Sequence, residues 1–132
     1  MFKIDPENMI IYLTRGDSAG IVFSASNCQG DQFHPTKNDR LIFSASKKFG
    51  EEPLVEIINT MGENESEEDF WSIQINPDDT KNLGFGKYVF DVEIEMRNSE
   101  SGELEAVDTI IGQTDCVTPT LILWGEVSLE SE

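Results

Sequence analysis

Apolar and polar residues alternate along most of this chain, in short runs broken by Gly, Asn, Asp, Ser and Pro. A period of two marks a strand with one buried face, because successive side chains on extended backbone point to opposite sides. Lys87 to Met96, KYVFDVEIEM, is the fullest example: Tyr88, Phe90, Val92, Ile94 and Met96 fall on one face, and Asp91, Glu93 and Glu95 on the other. Trp71, Ile73 and Ile75 alternate with Ser72 and Gln74 in the same way, and Ile21, Phe23 and Ala25 form a third inward set. Leu41, Phe43 and Ala45 form a fourth. Further strands are predicted at Ile10 to Thr14, Leu54 to Met61, Leu104 to Ile111 and Thr120 to Leu129. No segment sustains a helical period.

Seven to eight strands at this spacing predict an all-β fold, an antiparallel β-sandwich formed by one domain over residues 1–132. Its core is expected from about residue 9 to 129, between a short N-terminal tail and an acidic C-terminal tail. Phe-Ser-Ala-Ser occurs at 23–26 and again at 43–46, but no third unit continues it, so it reads as shared strand composition.

One stretch, Asn76 to Tyr88, carries helical punctuation. Asn76 suits a cap, Pro77 the first helical position, and Asp78 and Asp79 the positive end of a short helix. A single helical turn near residues 77–83, with Asp79 and Thr80 inside it, is expected to cross between the sheets. Gly84 and Gly86 then allow the backbone to reverse into the Tyr88 strand.

Arg15-Gly16-Asp17 invites an adhesion reading, since this triplet is an integrin signal in some matrix proteins. Three specified residues recur by chance, however, and Gly16 and Asp17 are what a tight turn between the first two strands needs. The turn is the expected role.

Composition narrows the chemistry. Nine Lys plus Arg against 26 Asp plus Glu give a net charge of -17, which repels nucleic acid and anionic membrane surfaces. The acid gathers at Glu63 to Asp69, Asn98 to Glu105 and the C-terminal LESE, and reads as solvated loop tips and a tail. No basic region with an apolar core opens the chain, and the apolar runs are too short to span a bilayer, so an unexported protein is expected. Asn64-Glu65-Ser66 is then an idle glycosylation triplet.

Cys28 and Cys116 are too few for a disulfide scaffold, and His34 is the one histidine, in a loop by composition. The usual catalytic triads and Cys/His zinc sites therefore have little to draw on. Asp31, Asp78 and Asp79 are oxygen donors, but no twelve-residue calcium loop is present. No enzyme, metal or cofactor is expected.

The order of motifs carries a resemblance. LTRGDS, a V/I-x-F-S strand, INPDDTKNLGFGKYVFDVEIE, VDTIIG and TLILWGEV follow one another between about Ile10 and Val127. This order resembles the small immunoglobulin-like β-sandwich domains of bacteriophage and prophage tail or baseplate proteins, such as the N-terminal domain of the phage baseplate upper protein. The most specific part is Pro77 to Thr80 followed by Leu83, a glycine, Tyr88 and Asp91-Val92. Tyr88 stands where a tyrosine corner would bond back to the upstream chain.

The resemblance implies a non-enzymatic docking or spacer module that binds other virion proteins, or copies of itself, and neither nucleic acid nor membrane. Its place would be the virion, or the bacterial cytoplasm before assembly. Asn98 to Val107 and Gly112 to Pro119 are longer than that family's pattern, which bears on the partner more than on the fold.

Trp124 and Ile122 share one face of the last strand while Leu121, Leu123 and Val127 occupy the other. Apolar residues on both faces imply burial on both sides or one face offered to a partner. Trp124 and Ile122 are therefore the expected partner surface. The alternative is a carbohydrate- or ligand-binding sandwich of a bacterial surface protein, with Trp71 or Trp124 as the stacking platform.

Overall fold

The computed structural model describes residues 2–23, 38–60, 71–112 and 117–125. Within them lie nine strands and one helical turn: β1 Phe2–Asp5, β2 Ile10–Thr14, β3 Ala19–Phe23, β4 Arg40–Ser46, β5 Val55–Thr60, β6 Trp71–Ile75, α1 Pro77–Thr80, β7 Gly86–Arg97, β8 Leu104–Ile111 and β9 Thr120–Trp124. The all-β expectation holds. Ala25, His34, Asp31, Cys28, Cys116, the acidic Glu63 to Asp69, Val127 and the C-terminal LESE lie outside the described residues.

Seven strands form one sheet, in the order β1-β2-β9-β7-β4-β5 with β8 also on β7, and β3 and β6 form a second. The inward residues of both make a single core. Trp71, Ile73, Ile75, Ile21 and Phe23 from the small sheet are buried in one cluster with Leu41, Phe43, Tyr88, Phe90, Val92, Ile94, Leu121 and Leu123 from the large one. The Phe43 and Phe90 rings stack with centroids 5.2 Å apart, a separation at which aromatic pairs gain beyond the area they bury.

Two expectations are corrected. The sandwich is not wholly antiparallel: β2 and β9 pair in parallel, Ile10 opposite Thr120 through to Thr14 opposite Trp124. Parallel neighbours need a long crossover, and nearly the whole domain supplies it, because the chain leaves β2 for the small sheet and returns to β9 last. Nor are the first residues a tail, since β1 pairs antiparallel with β2, Phe2 opposite Leu13 and Asp5 opposite Ile10. Phe2, Lys3 and Ile4 are all exposed, so β1 has no buried face and leaves no alternation to read.

β7 is long enough to hold two neighbours end to end on one edge. Gly86 to Val89 pair with β9 and Val92 to Arg97 with β8, while β4 takes the opposite edge. The sheet therefore forks at Phe90, with β9 and β2 on one branch and β8 on the other.

The helical turn carries the chain from β6 to β7, from one sheet to the other. The Asn76 backbone N–H donates to Asp79 Oδ2 at 2.7 Å, satisfying one of the donors a helix start leaves open. Behind the turn, the Tyr88 hydroxyl donates to the Gly84 carbonyl at 2.7 Å, the upstream bond expected of a tyrosine corner. Gly86 has φ 120, in the region that favours glycine.

Candidate docking surface

Register places four side chains in one row across the outer face of the large sheet. Lys3 on β1 lies opposite Tyr12 on β2, Tyr12 opposite Ile122 on β9, and Ile122 opposite Lys87 on β7. Directly opposed residues share a face. Trp124 stands two residues along β9 on the same face, and its ring meets Tyr12 with centroids 5.3 Å apart at 43°.

Each member is there for a local reason. Leu121 and Leu123 turn inward and are fully buried, so the pleat must send Ile122 and Trp124 outward. Leu13 and Ile11 do the same for Tyr12. The outcome is an apolar, aromatic patch on a wet face, with Trp124 38% exposed and Ile122 half-buried.

Cations frame this patch although the chain is strongly acidic. Lys3 Nζ lies 5.6 Å from the centre of the Tyr12 ring, within cation–π range, and Lys87 closes the other end of the row. Beside Trp124, where β2 ends and β7 begins, the Arg15 guanidinium lies 4.2 Å from the centre of the half-exposed Phe85 ring. Gly125 keeps room for that ring, since a Cβ there would come within 2.9 Å of it. Farther along β7 the same face turns acidic, with Asp91, Glu93 and Glu95 opposite Ser44, Ile42 and Arg40. Burial pushes the Asp91 carboxyl above its ordinary value.

Arg15, Gly16 and Asp17 form the link between β2 and β3, which belong to different sheets, so the link crosses the sandwich rather than closing a hairpin. Gly16 has φ 86, and its N–H donates to Thr80 Oγ1 at 2.9 Å. The Asp17 N–H donates to the Thr14 carbonyl. Arg15 donates from Nη1 to the Leu83 carbonyl at 3.1 Å and from its backbone N–H to the Trp124 carbonyl at 2.9 Å. An integrin-binding loop must protrude, whereas this one is tied down on the 80–85 segment. The sequence-derived turn residues Arg15, Gly16, Pro77, Thr80 and Tyr88 thus gather in one corner, beside the Trp124 end of the patch.

Trp71 is not available as a stacking platform, because it points into the core and is 1% exposed. The alternation that put Trp71 on an inward face had already implied this. Tyr12, Lys3 and Lys87 were missed as parts of a surface. Tyr12 and Lys87 lay within predicted strands, but which strands stand side by side cannot be read from any one of them.

The rest of the described surface offers little acid–base chemistry. A cleft of about 410 Å³ is lined by Gly20, Val22, Ile58, Asn59, Ser72 and Gln74 among others, none of them ionisable. Among the described residues no three His, Cys, Asp or Glu side chains gather as metal ligands. Asp78 pairs with Lys81 at 2.9 Å, and Asp79 is taken by the Asn76 N–H. Among the same residues no helix is long and apolar enough to cross a membrane. Searches against protein-family models, curated proteins and solved structures find no match to this chain.

Proposed function

We propose that this domain is a non-enzymatic assembly module that docks a partner protein on the Tyr12, Ile122 and Trp124 face, as a structural component of a phage or prophage tail, baseplate or fibre. The observation that carries the docking role is the exposed Trp124 against the half-buried Tyr12, on the outer face of two strands whose other faces are packed into the core. Tryptophan and tyrosine supply much of the energy at protein interfaces when a partner dries them, and a charged rim sets orientation. Lys3 and Lys87 form such a rim, so the partner surface is an apolar pocket edged with carboxylates. The virion setting rests on the resemblance of the Pro77 to Val92 stretch.

Binding of the purified chain to each product of the genes beside its own tests this reading. One of them should bind, and Trp124→Ala should weaken it by about tenfold or more, the scale of an interface hot spot, while far-ultraviolet circular dichroism stays unchanged. Absence of binding by every such product, or binding indifferent to Trp124, would remove the proposal. A second reading keeps the same face but gives it a sugar, because an exposed indole beside a tilted phenol is also a stacking platform. Glycan-array binding that Trp124→Ala abolishes would favour it.

A further inference from the structure

From the fork in the large sheet we infer a second docking site: the free edge of β8, which takes a basic extended segment of a partner as an added strand and seats one of its apolar side chains between β2, β3 and β8. Among the described residues β8 pairs with β7 alone. Its residues from Leu104 to Thr109 are exposed without a break, and Leu104 and Val107 are 50% and 52% exposed. A free edge presents a row of unpaired N–H and C=O groups, the template for strand addition. Proteins commonly guard such an edge with charge, above all Lys, or with Pro; neither Lys nor Pro occurs between Asn98 and Gly112, and the charges on the edge are all acidic, which leaves it open to a basic strand. The register irregularities lie at the two ends of the β7–β8 pair, so Ala106 to Thr109 remain regularly paired against Met96 to Glu93.

The hairpin that presents this edge is firmly built. Asn98 Oδ1 accepts the N–H groups of Glu100 and Ser101 at 2.8 and 2.9 Å. Arg97 Nη1 donates to the Gly102 carbonyl at 3.0 Å, and Asn38 Nδ2 donates to the Asn98 carbonyl at 3.1 Å. An edge that is already ordered loses little conformational freedom when a strand is added.

Charge and shape choose the occupant. Glu103, Glu105 and Asp108 lie along the edge, and Glu93 stands across the pair, opposite Thr109, whereas Glu95 opposite Val107 is already paired with Arg97 at 2.7 Å. A second copy would set Glu105 and Asp108 against their own kind, and like charges facing each other across strands destabilise. Lysines or arginines on the added strand meet them favourably. Where β8 ends at the fork, a cavity of about 280 Å³ is lined by Met9, Ile11, Val22, Phe90, Ile110 and Ile111 among others. It is lined by apolar groups from β1, β2, β3, β7 and β8 and is sized for a side chain at the end of the added strand.

The test uses the whole chain and a labelled octapeptide alternating lysine with valine and isoleucine. Its controls are the same peptide N-methylated at alternate amides, and one with glutamate in place of lysine. Amide shifts in nuclear magnetic resonance should cluster at Leu104–Ile111 and the cavity lining. Asp108→Lys together with Glu105→Gln, both on exposed positions, should weaken binding by about tenfold or more, and the N-methylated and acidic peptides should not bind.

Equal binding of the N-methylated peptide would reduce the effect to bulk charge and overturn the inference, as would shifts that avoid β8. Sedimentation showing that the chain alone dimerises through β8 would hand the edge to a second copy, and so overturn the basic partner. The Trp124 indole signal reports on the first surface separately, so failure of either site is distinguishable from failure of the other.

Discussion

The Thr80 hydroxyl oxygen accepts the Gly16 N–H at 2.9 Å, joining two residues 64 positions apart in the chain. Thr80 is wholly buried, so this bond fastens the β2–β3 link to the helical turn that crosses between the sheets. Replacing the hydroxyl by a methyl of the same shape, Thr80→Val, leaves the half-buried Gly16 N–H without its acceptor and should cost about 1–2 kcal/mol in urea denaturation. Thr80→Ser keeps the oxygen and loses only a buried methyl, about 0.8 kcal/mol. Hydrogen exchange at the Gly16 amide separates the two, since it should accelerate in the valine variant and not in the serine one.

Gly16 itself has φ 86. An alanine there puts its Cβ against the following carbonyl, at a cost of roughly 1–2 kcal/mol. Gly16→Ala should therefore lower the denaturation midpoint without changing its slope. An unchanged midpoint would mean that the link does not take this conformation.

Much of the strand layout is visible in the pattern of residues, because burial on one face leaves a direct trace. β7 shows it most clearly, with Tyr88, Phe90, Val92 and Ile94 buried on the side its alternation marks. The neighbours of each strand leave no such trace. Nothing local says that β2 lies beside β9, since that pairing is parallel and its two strands are more than a hundred residues apart. The same holds for buried Asp39, which sits just before β4 and accepts the Arg97 N–H at 2.8 Å. The docking face was half legible. Ile122 and Trp124 betrayed themselves by being apolar on the wrong side of β9, whereas Lys3 belongs to a strand with no buried face at all.

The Tyr88 hydroxyl offers a cleaner perturbation than a core truncation. It donates to the Gly84 carbonyl at 2.7 Å, while Lys47 Nζ lies 4.6 Å from the centre of the same ring. Tyr88→Phe keeps the ring, its burial and the cation contact, and removes only the hydroxyl. The expected loss is about 1–2 kcal/mol, one buried hydrogen bond and an acceptor left open. A loss near zero in thermal and urea unfolding would show that the corner is held by packing alone.

Asp91 sits on the outer face of β7 opposite Ser44, and burial raises its carboxyl above the ordinary 3.8. A raised folded value means that the folded state prefers the protonated form more than the unfolded chain does. The contribution to stability is then fully present below the ordinary value and is lost as pH rises through the folded one. At neutral pH the ionised, partly desolvated carboxylate works against folding. Asp91→Asn keeps the shape and cannot ionise, so the variant should be more stable than the parent at pH 7. Its advantage should shrink as pH falls through the carboxylate range, in paired urea titrations taken down to about pH 3. An advantage that stays constant with pH would place its origin in hydrogen bonding rather than in charge, and a variant less stable at pH 7 would mean that the carboxylate is held by a favourable partner instead of being penalised by burial.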